Sequence, residues 1–272
     1  MLQELADTGK KFSGITMDNI KWLFQKTQLK EELLIHLKDK RWNRKAKAIQ
    51  QLSSLQQKDQ LPNIFRLSNH NNDLVRMEAQ TATVKLTGFT GLRFLNVIGY
   101  PVSEWQQLRL IQELSMHSIE RFDDVDHWLK SKNASVIEFA LRLVEIYQRY
   151  EFYDSVVQCL SHSSVSICNQ AVITLGKISN EKTAGLLIDI YPGSDLSLQF
   201  HILKILQNIG AENEIPFLLS QLNHANDSFK CEAAKAIKEI NVSGIERVEK
   251  SVDNTAKPWN IILQQLKMEG VL

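Results

Sequence analysis

Breakers are scarce in this chain, which has 11 glycines and 5 prolines in 272 residues. An all-β fold needs a turn every ten residues or so and builds most of them from these two residues, so their shortage favours helix over strand. The three cysteines, Cys159, Cys168 and Cys231, are odd in number and lack CxxC spacing. That argues against a disulfide framework and against a zinc site, and leaves them as buried or half-buried thiols of a reducing compartment. No run of about 18 apolar residues occurs, so no segment of the sequence can span a bilayer. The start puts Glu4 and Asp7 where a secretory signal carries a basic segment and an apolar run. The resulting expectation is a cytoplasmic protein, or the cytoplasmic side of a membrane if the chain belongs to a longer polypeptide.

Charge of one sign is lacking too. With 43% apolar residues, 23% charged residues and a net charge of +1, the chain has neither the bias of a disordered segment nor the excess of a dedicated nucleic-acid binder. Catalytic signatures are equally absent: there is no Gly-rich phosphate loop, no G-x-S-x-G elbow and no H-E-x-x-H helix. The acidic cluster Asp123, Asp124 and Asp126 precedes an expected helix, where acids favour the positive end of the helix dipole. Neither cofactor nor metal is expected, and the chain is expected not to be an enzyme.

What is present is a repeat. Apolar anchors recur at Trp42, Val75, Trp105, Val136, Ile167, Leu198, Phe229 and Trp259, each 30 to 33 residues after the last. A period in this range signals an array of supersecondary units. Four residues after each anchor stand Ala46, Ala79, Arg109, Ala140, Ala171, Ile202, Ala233 and Leu263, mostly small residues that let helices approach closely. Seven after stand Ile49, Ala82, Gln112, Leu143, Thr174, Ile205, Ala236 and Leu266. Together these form the buried stripe of a second helix in each unit, and the anchor column is expected to bury Trp42, Trp105 and Trp259. Eleven before the anchor, Glu31, Ile64, Phe94, Val125, Val156, Leu187, Leu218 and Val248 mark a first helix. Polar turns such as Asn69 to Asn72 and Asn223 to Asp227 join the two. Neither helix buries its apolar face alone, so stacking must make the core. Residues 1–28 precede the register, with one helix expected after a cap at Thr16, and are read as an end cap or a tether; residues 29–272 form the array.

The segment from Asp73 to Gly88, with its D-x-V-R-x-x-A pattern, together with the step near 31, resembles the short HEAT repeats also found in phycobilin-lyase subunits. The resemblance implies an all-α, right-handed α–α superhelix of about eight helix pairs, with first helices on the convex face and second helices on the concave one. It also implies a scaffold holding a protein partner. Some HEAT-like hydroxylases hold iron through His-Glu pairs, but this chain contains no such dipeptide. Its histidines His70, His162 and His224 occupy equivalent turns, which lie in a row and do not converge.

Two candidate surfaces follow. Residues 1–60 carry 12 Lys and Arg against 7 Asp and Glu, whereas the remainder carries 20 against 24. The basic run Lys38, Lys40, Arg41, Arg44, Lys45 and Lys47 could therefore draw an anionic partner to the N-terminal end. The alternatives to a protein scaffold are a nucleic-acid-binding protein resembling the HEAT-like DNA alkylation repair glycosylases and the soluble portion of a membrane-associated assembly protein. The acidic balance beyond residue 60 disfavours a groove tracking many phosphates. The second surface lies three and six residues after the anchors, beside the buried stripe: Lys45, Glu78, Gln170, His201, Lys204, Glu232 and Lys235, a mixed-charge row suited to a polypeptide.

Overall fold

The computed structural model describes Glu4 and residues 14–27, 29–119 and 124–268. Among these residues sixteen α-helices occur and no strand. The chain divides into two compact units, 1–139 and 140–272. The first contains α1 (Ile15–Lys26), α2 (Leu29–Lys38), α3 (Trp42–Ser54), α4 (Leu61–Phe65), α5 (Asp73–Thr87), α6 (Glu104–Leu114) and α7 (Val125–Trp128). Helix α8 (Ala134–Ile146) carries the division. The second unit contains α9 (Tyr153–Gln158), α10 (Val165–Lys177), α11 (Thr183–Ile190), α12 (Leu196–Ile209), α13 (Ile215–Gln221), α14 (Asp227–Ile240), α15 (Gly244–Ser251) and α16 (Trp259–Met268).

Long and short helices alternate as the period demands. In the first unit α3 packs on α5 and α5 on α6; in the second α10 packs on α12 and α12 on α14. Small residues permit these contacts. Ala79, Ala171 and Ala233 are fully buried, and at Gly176 in α10 an added Cβ would come within 2.9 Å of the Ile205 side chain on α12. Seven members of the first-helix row, Ile64, Phe94, Val125, Val156, Leu187, Leu218 and Val248, are shielded from solvent. Glu31 alone is exposed.

The polar turns close through capping. Asn72 Oδ1 accepts the Val75 N–H at 3.2 Å, Asp195 Oδ1 accepts the Leu198 N–H at 2.9 Å, and Asn226 Oδ1 accepts the Ser228 N–H at 2.9 Å. The D-x-V-R pattern has a visible cause. Arg76, almost wholly buried, donates to Asp73 Oδ1 at 2.5 Å and to the His70 carbonyl at 2.7 Å, so it ties the turn to the helix it precedes. Lys230 repeats the tie on Asp227 at 2.8 Å.

Four expectations need correction. Trp42 and Trp105 are 48% and 61% exposed. Trp42 is the first residue of α3 and is not covered. In α6 the buried stripe is Gln106, Gln107, Leu110 and Leu114, one residue later than the register placed it. Consequently Arg109 and Gln112 lie beside the stripe, not within it. Gln106 is tolerated in the core because its amide donates to the Met77 carbonyl at 3.0 Å, and the Gln107 amide donates to the Val102 carbonyl at 3.1 Å. The first helix of this third repeat is a 3-10 segment, Gly88–Asn96, not an α-helix. Finally, α1 begins at Ile15 after Gly14, whose φ of 64° suits glycine, rather than after Thr16. Of the acidic cluster, Asp123 lies outside the described residues, as does most of residues 1–13.

Candidate partner-binding face

Every candidate in the mixed-charge row sits on a second helix, next to positions that contact the neighbouring repeat. This placement decides what each side chain does. On α5, Glu78 meets Arg109 of α6 in a two-point grip, with Nη1 to Oε1 at 2.8 Å and Nη2 to Oε2 at 3.0 Å. The side chains are 15% and 23% exposed, so the pair lies at the border of core and solvent. The Arg109 guanidinium also stands 5.6 Å from the centroid of the Trp105 ring. Trp105 and, three residues on, Leu108 are about three-fifths exposed. The face thus presents a fixed ion pair flanked by bare apolar surface.

In the second unit the equivalent positions reach back to the preceding second helix. Gln170 of α10 donates to Glu145 Oε2 at 2.8 Å. Glu232 of α14 accepts from Gln207 Nε2 of α12 at 2.5 Å. Spacing explains the match: Gln170 and Glu232 lie three residues after their anchors, whereas Glu145 and Gln207 lie nine after theirs. His201 Nδ1 stands 3.2 Å from Asn169 Oδ1. Lys204 is exposed, with its ammonium 4.9 Å from the Phe200 ring centroid. Lys235 is half-buried. Glu78, Gln170, His201 and Glu232 are therefore held by other repeats, while Lys204 projects furthest into solvent.

The basic run is less basic than its sequence. Asp39 accepts the Arg41 backbone N–H at 2.9 Å and pairs with both the Arg41 and Arg44 guanidiniums at 3.3 Å. These hold its carboxyl below the usual range, the backbone bond most strongly. Lys38, Lys40 and Lys47 are exposed, and Lys45 is half-buried. The charge of Lys45 and that of Arg76 both act on His70, whose pKa is lowered first by burial.

The equivalent histidines share one geometry. His70 Nδ1 accepts the Asn72 N–H, His162 Nδ1 the Ser164 N–H, and His224 Nδ1 the Asn226 N–H, each at 3.0 Å. Each imidazole acts as a turn acceptor, the role Asn or Asp plays in an Asx turn. Among the described residues no group of three or more His, Cys, Asp or Glu side chains could hold a metal ion. No helix among them is long and apolar enough to cross a membrane.

The sequence reading missed Arg109, Trp105 and Leu108 as surface groups. Leu110 and Leu114, four residues apart, carried the signal for the shifted stripe, but the bulk of Trp105 outweighed them.

No family model and no curated protein sequence matches the chain. Solved structures similar to it include an engineered protein, at 12% identity over 97% of this chain and 82% of that one, with a TM-score of 0.46. The complex of CpcE and CpcF of phycocyanin lyase from Nostoc sp. PCC7120 is similar at 17% identity over 99% and 94%, with a TM-score of 0.31. Human deoxyhypusine hydroxylase in complex with glycerol is similar at 12% identity over 98% and 93%, with a TM-score of 0.36. At these scores the likenesses carry no argument about what this chain does.

Proposed function

We propose that the chain is a non-catalytic scaffold that binds a polypeptide segment along its second-helix faces. The observation that carries the reading is the surface around the Glu78–Arg109 pair, where Trp105 and Leu108 stand largely bare beside a rigidly held charge pair. Aromatic and arginine side chains in such settings are the common anchors of protein interfaces. In the second unit the row Lys204, Lys235, His201 and Glu232 adds mixed charge, which selects a partner by complementarity and contributes modest affinity. A phosphate backbone fits less well, because Arg41 and Arg44 are already committed to Asp39.

The test is partner capture with the purified chain, identification by mass spectrometry, and titration of the isolated partner segment. Two variants then address the two units: Trp105→Ser with Leu108→Ser, and His201→Glu with Lys204→Glu and Lys235→Glu. Each is expected to weaken a micromolar-class contact at least tenfold with little change in melting temperature. Unaltered affinity in both variants would overturn the reading, as would binding of a single-stranded oligonucleotide that falls steeply with salt and displaces the segment.

A further inference from the structure

One cavity of the first unit has a chemistry that the scaffold reading does not use. A hollow of about 450 Å3 lies between α4, the C-terminal turns of α5 and the 3-10 segment Gly88–Asn96. It falls within the range of about 300–1,000 Å3 typical of small-molecule sites. Leu61, Pro62 and Phe65 make one wall apolar, and Arg66 and Arg93 line it as well. Both arginines are exposed, and among the described residues neither guanidinium forms an ion pair or hydrogen bond.

The threonines of the hollow settle its polarity. The Thr83 hydroxyl donates to the Gln80 carbonyl at 2.7 Å, Thr87 to the Thr83 carbonyl at 2.8 Å, and Thr90 to the Thr87 carbonyl at 2.8 Å. Each hydroxyl proton is thereby engaged, so the threonines offer the cavity methyl groups and lone pairs and no donor. Among the lining side chains the two guanidiniums are the donors available to an occupant, and they are cationic. Gly91 keeps the hollow's floor close, since a Cβ there would stand 2.6 Å from the Thr83 carbonyl oxygen.

We infer that this hollow binds a small amphipathic organic anion, an acyl or aryl carboxylate, with its head on Arg66 and Arg93 and its apolar body against Leu61, Pro62 and Phe65. A wholly apolar molecule would leave both guanidiniums unused. A bare inorganic anion would leave the apolar wall uncovered. A cation would meet two like charges. Only a ligand joining negative charge to apolar body satisfies both walls, and planar carboxylates match the guanidinium fork.

The test uses the environment-sensitive aryl sulfonate 8-anilinonaphthalene-1-sulfonate as probe, with octanoate, octylammonium and an acidic decapeptide as competitors. Probe fluorescence should rise on binding and be displaced by octanoate but not by octylammonium. Arg66→Gln with Arg93→Gln should weaken probe and octanoate binding at least tenfold without moving the melting temperature. Thr87→Phe, which fills the hollow, should do the same if it folds; Leu61→Glu, which puts a negative charge on the apolar wall, serves if it does not. Unchanged affinity in the arginine variant, equal displacement by octylammonium, or displacement by the decapeptide and not by octanoate would each overturn the assignment.

Discussion

Arg109 grips Glu78 through both guanidinium nitrogens, at 2.8 and 3.0 Å, across the contact between α5 and α6. Bidentate geometry and partial burial place this pair between exposed bridges, worth about 0–1 kcal/mol, and buried ones, whose breakage costs about 3–5 kcal/mol. Arg109→Ala is expected to cost about 1–2 kcal/mol in a urea melt. Arg109→Lys should recover only part of this, because an ammonium lacks the planar two-nitrogen fork that matches both carboxylate oxygens. A double-mutant cycle with Glu78→Gln should show coupling, and additive effects would refute the pairing.

Ala171 is fully buried on α10 at the contact with its neighbours. Ala171→Leu should overpack that contact and cost about 1–3 kcal/mol. The exposed Lys47 is the comparison, and Lys47→Ala should change stability by no more than about 0.5 kcal/mol. Equal shifts in denaturant midpoint would mean that the buried stripe is wrongly placed.

Gly91→Ala should be costly for a different reason. Its Cβ would approach backbone atoms of Thr83 and Val84 to 2.6–2.8 Å, and backbone in a helix cannot rotate aside. A loss of about 1–3 kcal/mol is expected, by analogy with overpacked cores. Gly193, where an added Cβ meets nothing within 4 Å, should accept alanine with far less effect in the same thermal melt.

His70 links stability to pH. Its pKa is lowered from the usual 6.5 by burial and by the charges of Lys45 and Arg76. The native state therefore binds fewer protons than the unfolded state. The contribution is fully present above about pH 6.5 and is lost as pH falls toward the lowered value. Protonation also removes the Nδ1 lone pair that accepts the Asn72 N–H. His70→Asn keeps an acceptor for that N–H and does not titrate. Denaturant melts at pH 7.5 and 5.5 should show a smaller loss of stability in the variant than in the wild type, and an equal loss would exclude the role.

The repeat, the helical class and the rows of the core that recur with the period were legible in the amino-acid order, because burial by stacking forces small and apolar residues to recur at every period. Seven of the eight first-helix positions chosen from spacing are buried. The polar turns were legible for a local reason, since a helix restart favours turn and cap residues. Only the tertiary structure decided the register of α6. Steps of 30 or 31 fit Trp105 or Gln106 equally, and what favours Gln106 is its set of amide bonds to the neighbouring helix, which no single helix's pattern contains. The candidate surface was decided there too. Whether Glu78, Gln170 or Glu232 is free or held depends on a residue some 25 to 31 positions away across a repeat contact. Likewise, Arg66 and Arg93 line one hollow through the packing of separate segments, beside Gly91, where a Cβ would meet the Thr83 backbone. Periodicity fixes which residues face inward; contacts between repeats fix which polar residues remain for a partner.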